Sequence, residues 1–260
     1  MRTRLDKLLL ERGLAPSRER AQALILAGRV LVNEQKIEKP GAPVDDAALL
    51  RVLGEDQRYV SRGGLKLEAA LTRWQIDLQG RECVDIGAST GGFTDCMLQH
   101  GAARVIAVDT GYGQIAEALR RDPRVSLLER TNARYLKPGE LGSGISFVSM
   151  DVSFISATLV LPAVVAAVRG TPEGTMEAVG VEAVILEAVI LVKPQFEAGR
   201  EQVGKGGIVY DPAAHQFAID RVRSAVQDLG AIHTEITDSP ILGGGEGAKG
   251  NREFLLYARF

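Results

Sequence analysis

Two lysines and two carboxylates stand at the predicted ends of strands or helices, where their side chains can reach a common site. Asp151 and Lys193 each follow an apolar run typical of a buried strand. Glu253 begins the last predicted strand, which brings it to the same edge if that strand runs antiparallel. Lys66 lies in the first turn of the helix that leads to the first strand, so it lies at this edge too. For one such residue a surface salt bridge is the commoner explanation, but the four together predict a site for proton transfer.

A glycine-rich turn links the first predicted strand, Cys83 to Ile86, to the helix that follows it. Glycines let a backbone approach a ligand closely and let a helix begin tightly against a strand. Their spacing, Gly87 followed by Gly91-Gly92, is not the dinucleotide pattern, and no Walker A lysine follows. Asp109 ends the second strand, where a carboxylate can accept hydrogen bonds from both ribose hydroxyls of an adenosine. A helix N-cap is the alternative for Asp109, but together these features predict a nucleoside-containing ligand.

Strands and helices alternate from Cys83 onward, which is typical of a mostly parallel sheet with helices on both faces. The fold class is therefore α/β, with a Rossmann-like seven-stranded domain and a small N-terminal α+β domain. We expect ligands at the carboxyl edge of the sheet, near the point where the strand order reverses. The predicted strands are Cys83 to Ile86, Arg104 to Val108, Val125 to Leu128, Ser146 to Met150, Val189 to Val192, Ile232 to Thr237 and Phe254 to Arg259.

The residue pattern of the N-terminal segment predicts a small α+β module with a basic surface. Residues 1–66 hold 13 lysines and arginines against 9 aspartates and glutamates, whereas the rest of the chain holds 18 against 24. A nucleic-acid-binding module requires such a basic end, although an ordinary solvated surface fits the charge equally well. The predicted elements are a helix opened by Arg2 to Lys7 and ended by Gly13, a helix capped by Ser17 and ended by Gly28, and strands at Val30 to Val32 and Leu49 to Leu53.

The composition limits the class of protein and its compartment. With 260 residues, of which 45% are hydrophobic and 25% charged, the chain can form one large domain and one small one. No apolar run reaches the roughly 18 residues that span a bilayer, and no export signal is seen. The two cysteines, Cys83 and Cys96, cannot form a disulfide framework or a zinc site on their own. We expect a cytoplasmic monomer that has no membrane partner.

The N-terminal module resembles the RNA-binding domain first known from ribosomal protein S4. The resemblance covers nearly all of Met1 to Leu53 and depends on Arg4-Leu5-Asp6, Gly13-Leu14, Ser17-Arg18, Ala21, Leu24-Ile25, Gly28, Val30, Val32-Asn33 and Lys39-Pro40-Gly41. Glu34 stands where the family often has glycine, so we expect a less tight turn there. The resemblance implies that structured RNA lies on the second helix and the following turn, with a protein-binding domain as the alternative. The residues expected to bind RNA are Arg4, Arg18, Arg20, Arg29, Lys36 and Arg62.

The rest of the chain resembles the FtsJ-type ribose methyltransferases, whose Lys-Asp-Lys-Glu tetrad matches Lys66, Asp151, Lys193 and Glu253. It is still more similar to the TlyA family, which has long been named for haemolysins and contains cytidine 2′-O-methyltransferases of ribosomal RNA. The matching motifs are Tyr59 to Leu67, Asp85 to Asp95, Met150 to Ser156, Val192 to Arg200 and Gly204 to Gly207. The implied organisation is an S4-like domain at 1–54, a linker at 55–62 and a methyltransferase domain at 63–260.

The resemblance implies S-adenosylmethionine as the cofactor and ribosomal RNA or ribosomal subunits as the partner. No metal is expected, because the sulfonium carries its own leaving group. A ribose hydroxyl is a weak acid, so its proton must be removed while it is aligned with the methyl group. Burial and the ammonium of Lys66 both disfavour the charged form of Lys193, which makes Lys193 the expected base, with Asp151 and Glu253 orienting the lysines and the ribose. The expected cofactor residues are Asp85, for the charged amino-acid end, and Gly87, Ala88, Ser89, Gly91, Phe93, Asp109 and Asn132.

Three other hypotheses remain open at this point. A non-enzymatic RNA-binding or ribosome assembly factor on a methyltransferase fold would bind the cofactor without methyl transfer. A membrane-active haemolysin would need an amphipathic or spanning segment, which the sequence does not show. Base methylation would need an Asn-Pro-Pro-Tyr-like motif or a catalytic cysteine pair, and neither is visible. One departure from the family is a Glu-Ala-Val repeat at Glu177, Glu182 and Glu187, any copy of which could form the fifth strand.

Overall fold

The computed structural model describes residues 2–53, 58–170, 185–243 and 250–260. The chain divides into two units, Met1–Asp56 and Gln57–Phe260. The predicted linker at 55–62 lies partly outside the described residues. The first two copies of the Glu-Ala-Val repeat lie outside them as well, whereas the third copy, at Glu187, begins a strand of the second unit.

The N-terminal unit contains two helices and two small antiparallel sheets around a core of its own, in which Leu5, Leu9, Leu24 and Ile25 are buried. Its elements are β1 (Arg2–Arg4), α1 (Leu5–Glu11), α2 (Arg18–Leu26), β2 (Val30–Val32), β3 (Gln35–Lys36), β4 (Pro43–Asp45) and β5 (Leu50–Val52). Strand β1 pairs with β4, and β2 pairs with β3 and β5. The predicted start of the first helix is wrong, because residues 2–4 pair with β4 as a strand and the helix begins only after them.

The hairpin turn between β2 and β3 is also tighter than predicted. Asn33 and Glu34 form a two-residue turn in which both φ angles are positive, 49° and 63°, as a type I′ turn requires. The carboxylate of Glu34 forms an ion pair with Arg51 on β5, with an N to O distance of 2.5 Å. The Oδ1 of Asn33 accepts a hydrogen bond from the backbone N–H of Leu49 at 2.9 Å. These two contacts hold the turn in a conformation that glycine would otherwise be expected to supply.

The second unit is built on a seven-stranded sheet with the order β11-β12-β10-β9-β6-β7-β8. Its strands are β6 (Glu82–Ile86), β7 (Arg104–Val108), β8 (Val125–Leu128), β9 (Ile145–Met150), β10 (Glu187–Val192), β11 (His233–Asp238) and β12 (Phe254–Arg259). Strands β6 to β10 are parallel where they pair, and β12 runs antiparallel to both β10 and β11. All seven predicted strands are present, each within two residues of its predicted ends. The predicted α/β class is thus confirmed.

Helices cover both faces of this sheet. They are α3 (Gly63–Trp74), α4 (Gly92–Gln99), α5 (Glu117–Arg120), α6 (Leu161–Arg169), α7 (Pro194–Glu197) and α8 (Pro212–Asp228). Adjacent residues of β6 belong to different hydrophobic clusters: Cys83 packs with α3 and α4, whereas Val84 packs with α6 and α8. The strand is therefore apolar on both faces, as buried parallel strands are. Burial raises the pKa of both thiols, Cys83 and Cys96, to about 12.

The strand order reverses at β6, which lies between β7 and β9. The residues that follow β6, β7, β9 and β10 therefore meet at one edge of the sheet, where ligands bind in open α/β folds. Because Val192 of β10 faces Phe254 of β12 in antiparallel register, the residue before β12 lies beside the residue after β10. Among the described residues, no helix is both long enough and apolar enough to cross a membrane.

Candidate active site

Two adjoining cavities open at this edge of the sheet, with volumes of about 300 and 340 Å³. They share lining residues from the glycine-rich turn and from the loop after β9, namely Gly87, Ser89, Asp151 and Ser153. We call the one beside α3 the lysine cavity, because Lys66 and Lys193 line it. The other lies beside the ends of β7 and β8, and we call it the Asp109 cavity after the carboxylate in its wall. The pair forms one cleft across the point where the strand order reverses.

The first half of the predicted tetrad is an ion pair between α3 and the start of β12. Lys66 Nζ lies 2.6 Å from Glu253 Oε2, and the two side chains are only 10% and 3% exposed. A Cβ atom on Gly243 would lie 2.0 Å from Glu253 Oε1, so only glycine leaves room for this carboxylate. Gly243 lies in the segment before β12 and is hydrogen bonded to Asn251. The carboxylate is thus fixed between an ammonium group and a backbone that cannot carry a side chain.

The second half of the tetrad joins the ends of β9 and β10. Lys193 Nζ lies 2.5 Å from Asp151 Oδ1 and donates a hydrogen bond to Ser153 Oγ at 2.7 Å. The side chain of Lys193 is 9% exposed, and that of Asp151 is 23% exposed. Three of the four predicted residues, Lys66, Asp151 and Lys193, therefore line the lysine cavity, and the fourth, Glu253, is paired with Lys66. Since Asp151 and Lys193 leave adjacent parallel strands, their proximity follows directly from the sheet topology.

The glycine-rich turn passes unusually close to the loop after β9. Gly87 has a φ of +85°, and a Cβ atom there would lie 2.4 Å from the backbone oxygen of Asp151. Ser89 also has a positive φ, 51°, and its N–H donates to Asp109 Oδ2 at 2.7 Å. The turn therefore presents backbone to both cavities. Of the other residues predicted in this turn, Ala88 and Phe93 line the lysine cavity.

The Asp109 cavity combines polar groups with apolar walls. Asp109 accepts hydrogen bonds from the backbone N–H groups of Ser89 and Gly111, at 2.7 and 2.6 Å. Asn132 lines the same cavity and accepts a hydrogen bond from the backbone N–H of Arg134 at 3.1 Å. The apolar walls are formed by Ile86, Val108, Ala133, Val152, Ile155 and Val160. A carboxylate that is fixed by two backbone donors and faces an apolar slot suits an adenosine, with ribose hydroxyls at the carboxylate and the base in the slot.

Two of the predicted cofactor residues do not reach either cavity. Asp85 has no exposed surface, and its carboxylate accepts hydrogen bonds from the hydroxyls of Thr94 and Ser149, at 2.7 and 3.0 Å. Gly91 has a φ of +94°, and a Cβ atom there would meet the side chain of Leu119 at 2.3 Å. Asp85 thus lines neither cavity in this structure, and its contact with the amino-acid end of a cofactor stays a prediction. Both residues support the glycine-rich turn from behind, because they lie on its buried side.

The buried carboxyl of Asp85 should make the free energy of unfolding depend on pH. Burial raises the pKa of its carboxyl to about 6, above the usual ~3.9 of aspartate. The folded state thus binds this proton more tightly than the unfolded state, and the associated stability, present at low pH, is lost as pH rises through about 6. Asp85→Asn lacks this titration. We expect its free energy of unfolding, relative to the wild type, to increase by about 1 kcal/mol between pH 5 and 7.5. Urea denaturation at both pH values checks this, and an identical difference at both would contradict it.

Sequence reasoning did not single out three residues that the structure places here. Ser153 lines both cavities and contacts Lys193. Phe154 lines the Asp109 cavity, is 92% exposed and has a φ of +64°. Glu197 is buried and accepts hydrogen bonds from the hydroxyl of Ser156 at 2.5 Å and the N–H of Ala157 at 2.7 Å; burial raises its pKa. All three lie within the motifs of the sequence, but spacing alone does not show which motif residues face a cavity.

The residues expected to bind RNA have mixed surroundings. Arg62 lines the lysine cavity instead of lying in the N-terminal unit. Within that unit, Arg4 and Arg18 both donate to the buried Asp6, at 2.9 to 3.1 Å, and the Arg4 guanidinium holds the pKa of Asp6 well below its usual range. Their side chains are still about half exposed, 52% and 51%. Arg18 therefore connects α2 to α1, whereas Arg4 connects β1 to α1. The contact of both arginines with RNA stays a prediction.

Of the other three residues expected to bind RNA, Arg29 and Lys36 lie near or on β2 and β3, and Arg20 lies on α2. Lys36 forms an ion pair with Glu38 at 2.9 Å, and both side chains are more than half exposed. The Nε of Arg29 donates to the backbone oxygen of Leu53 at 3.0 Å. Arg20 lies in the first turn of α2, where its N–H donates to the capping hydroxyl of Ser17 at 3.2 Å. An exposed ion pair contributes little stability, so Lys36 can exchange its partner for a phosphate at small cost.

Known proteins match this chain over nearly its whole length. A family model described as FtsJ-like methyltransferase matches residues 59–260, and an S4 domain model matches residues 3–48. YqxC of Bacillus subtilis (strain 168), named as a candidate rRNA methyltransferase, is 47% identical over 98% of this chain and 84% of its own length. The 16S/23S rRNA (cytidine-2′-O)-methyltransferase TlyA of Mycobacterium tuberculosis is 44% identical over 99% of this chain and 90% of its own length. A solved Streptococcus thermophilus structure, named for a hemolysin, is 42% identical with a TM-score of 0.70, covering 99% of this chain and 88% of that one.

Proposed function

The chain belongs to the TlyA family of FtsJ-like methyltransferases with an S4 domain, and from this premise we propose that it methylates a cytidine 2′-hydroxyl in ribosomal RNA. The proposed methyl donor is S-adenosylmethionine, which supplies a methyl group on a positively charged sulfur when it is bound. The observation that carries the proposal is the placement of Lys66, Asp151 and Lys193 at one cavity, with Glu253 paired to Lys66, beside a second cavity that Asp109 lines. An RNA substrate of this kind makes the cytoplasm the expected site of action.

The residues of the cleft fit this cofactor. The fixed carboxylate of Asp109 suits two ribose hydroxyls, and the apolar walls of the same cavity suit an adenine. Gly87 brings backbone to the shared wall of the two cavities, where a side chain would collide with the loop after β9. Gly87, Ala88, Ser89, Phe93, Asp109 and Asn132 are thus proposed to hold the cofactor, with its reactive end toward the lysine cavity.

The chain itself would move one proton in the reaction. The ribose 2′-hydroxyl enters the lysine cavity, and its proton passes to Nζ of Lys193 in the neutral form of that amine. Asp151 stabilises the ammonium that results, because its carboxylate lies 2.5 Å away. Lys66, held by Glu253, is placed to bind and orient the ribose oxygens. The low exposure of both lysines excludes water that would compete for the proton.

The reaction can be tested with purified protein, ribosomal subunits and methyl-labelled S-adenosylmethionine. We expect label in rRNA at a cytidine, at a phosphodiester bond that resists alkaline hydrolysis because its 2′-oxygen is methylated. Label on a nucleobase would replace the proposal with base methylation. Cofactor binding without any transfer to either subunit would favour the alternative of an RNA-binding assembly factor. Leaving out the protein gives the background incorporation.

Asp109 provides a separate test of the cofactor assignment. Replacing Asp109 with asparagine removes the charge that the ribose hydroxyls would contact, while one amide oxygen can still accept from Ser89 or Gly111. Because hydrogen bonds to charged groups contribute roughly 1.5 to 3 kcal/mol, we expect Kd for S-adenosylmethionine to rise by about 10-fold or more. Isothermal titration calorimetry measures this, with exposed Glu140→Gln as a matched control. Equal affinities for Asp109→Asn and the wild type would remove Asp109 from the site.

A further inference from the structure

Ser153 is the residue outside the tetrad that contacts the predicted base. It lies three residues after the end of β9 and lines both cavities, so it stands where the two halves of the cleft meet. Its Oγ accepts a hydrogen bond from Lys193 Nζ at 2.7 Å. Lys193 also contacts Asp151, at 2.5 Å. The ammonium nitrogen therefore has two oxygen partners on the same loop.

The valence of the amine makes both partners matter. A neutral lysine amine has two N–H donors and one lone pair, which is the group that accepts a proton. With Asp151 alone against the nitrogen, the amine can rotate about its Cε–Nζ bond and the direction of the lone pair is not fixed. When Ser153 also accepts a hydrogen bond from one N–H group and Asp151 stays 2.5 Å from the same nitrogen, the lone pair is directed away from both oxygens. A lone pair with a fixed direction increases the fraction of time that the amine spends in a geometry that can react.

The loop that carries Ser153 is held in place from its other end. Glu197, which ends α7, accepts hydrogen bonds from the hydroxyl of Ser156 and the N–H of Ala157, at 2.5 and 2.7 Å. Phe154 packs against Phe196 of α7, with ring centroids 5.5 Å apart. The segment after β9 is thus connected to the segment after β10 by contacts that follow Ser153 in the chain. These contacts hold the backbone of the loop next to Ser153.

We propose that Ser153 is a positioning residue for the proton acceptor: it accepts a hydrogen bond from neutral Lys193 while Asp151 lies against the same nitrogen, and the lone pair is thereby directed to the reacting hydroxyl. This inference rests on the proposed ribose methylation. The proton moves from the ribose oxygen to Nζ, and Ser153 neither gains nor loses one. Ser153 only sets the direction of the Lys193 lone pair. Replacing Ser153 should therefore change the rate of methyl transfer and not the binding of cofactor or RNA.

The test compares Ser153→Ala and Ser153→Thr with the wild type, with Ser126→Ala on β8 as a serine control that accepts a hydrogen bond from Arg104 instead. We expect Ser153→Ala to lower the single-turnover rate by about 10-fold, with unchanged Kd for S-adenosylmethionine and unchanged KM for RNA. Threonine keeps the hydroxyl and should restore the rate to within about threefold.

Each alternative outcome is distinct. A wild-type rate in Ser153→Ala overturns the positioning role, and it leaves the proposed function intact if Lys193→Ala is inactive in the same assay. A loss of cofactor affinity without a loss of single-turnover rate at saturation would assign Ser153 to binding and overturn the inference as well. Failure of threonine to restore the rate would show that the shape of the side chain matters and not its hydroxyl. Thermal denaturation of each variant confirms that the compared proteins are folded.

Discussion

Replacing Lys193 with alanine should lower methyl transfer to ribosomal RNA by at least ~10²-fold, the effect typical of losing a general base. The binding of S-adenosylmethionine and RNA should change little. The physical reason is the position of Nζ, which is nearly buried and lies against Asp151 and Ser153 at the lysine cavity. Single-turnover rates with labelled cofactor measure the loss, and calorimetry measures cofactor affinity in the same preparations. Lys137→Ala, an exposed lysine that lines neither cavity, is the matched control.

The Lys193→Arg variant shows whether Lys193 acts as a general base or only as a positioning cation. Arginine keeps the positive charge near Asp151 but cannot lose its proton at physiological pH, so we expect it to be almost as inactive as alanine. An active arginine variant would reassign Lys193 to positioning. An alanine variant with a rate close to that of the wild type would end the proposed mechanism.

The sheet and the tetrad could be predicted because both follow from strand ends. Apolar runs on both faces identify buried parallel strands, and residues after such strands must share one edge. Asp151 and Lys193 need no further information to be placed together. Glu253 needed one more assumption, an antiparallel last strand, and the register of Val192 with Phe254 satisfies it.

Other assignments depend on where a side chain points, which spacing does not determine. Asp85 lies in β6 and Asp109 directly follows β7, and both strands end at the site. Asp85 is nevertheless buried against Thr94 and Ser149, whereas Asp109 faces a cavity. Alternation along a strand sends neighbouring side chains to opposite faces, but the last residues can turn either toward a ligand or into the core. Similarly, charge composition marks Arg4 as basic surface without showing its ion pair with Asp6. These distinctions need tertiary contacts.

Deleting residues 1–53 should abolish most methylation of ribosomal RNA while cofactor binding stays intact. The described core residues of the second unit all come from position 59 onward, and those of the N-terminal unit all lie before position 53, so neither core takes residues from the other unit. Recognition by the S4 domain and chemistry in the cleft are therefore separable in the proposal. Calorimetry with S-adenosylmethionine shows whether the truncated chain is folded and binds cofactor.

Salt should imitate part of this deletion in the intact protein. Basic residues that contact phosphates release counterions from RNA, so the logarithm of affinity falls linearly with the logarithm of salt concentration. If the N-terminal unit supplies many of these contacts, the full-length chain should have a steep slope and the truncated chain a shallow one. Filter binding to a ribosomal subunit at salt concentrations from about 50 to about 200 mM measures both slopes. Equal slopes, together with an undiminished methylation rate after truncation, would show that the catalytic unit recognises RNA unaided.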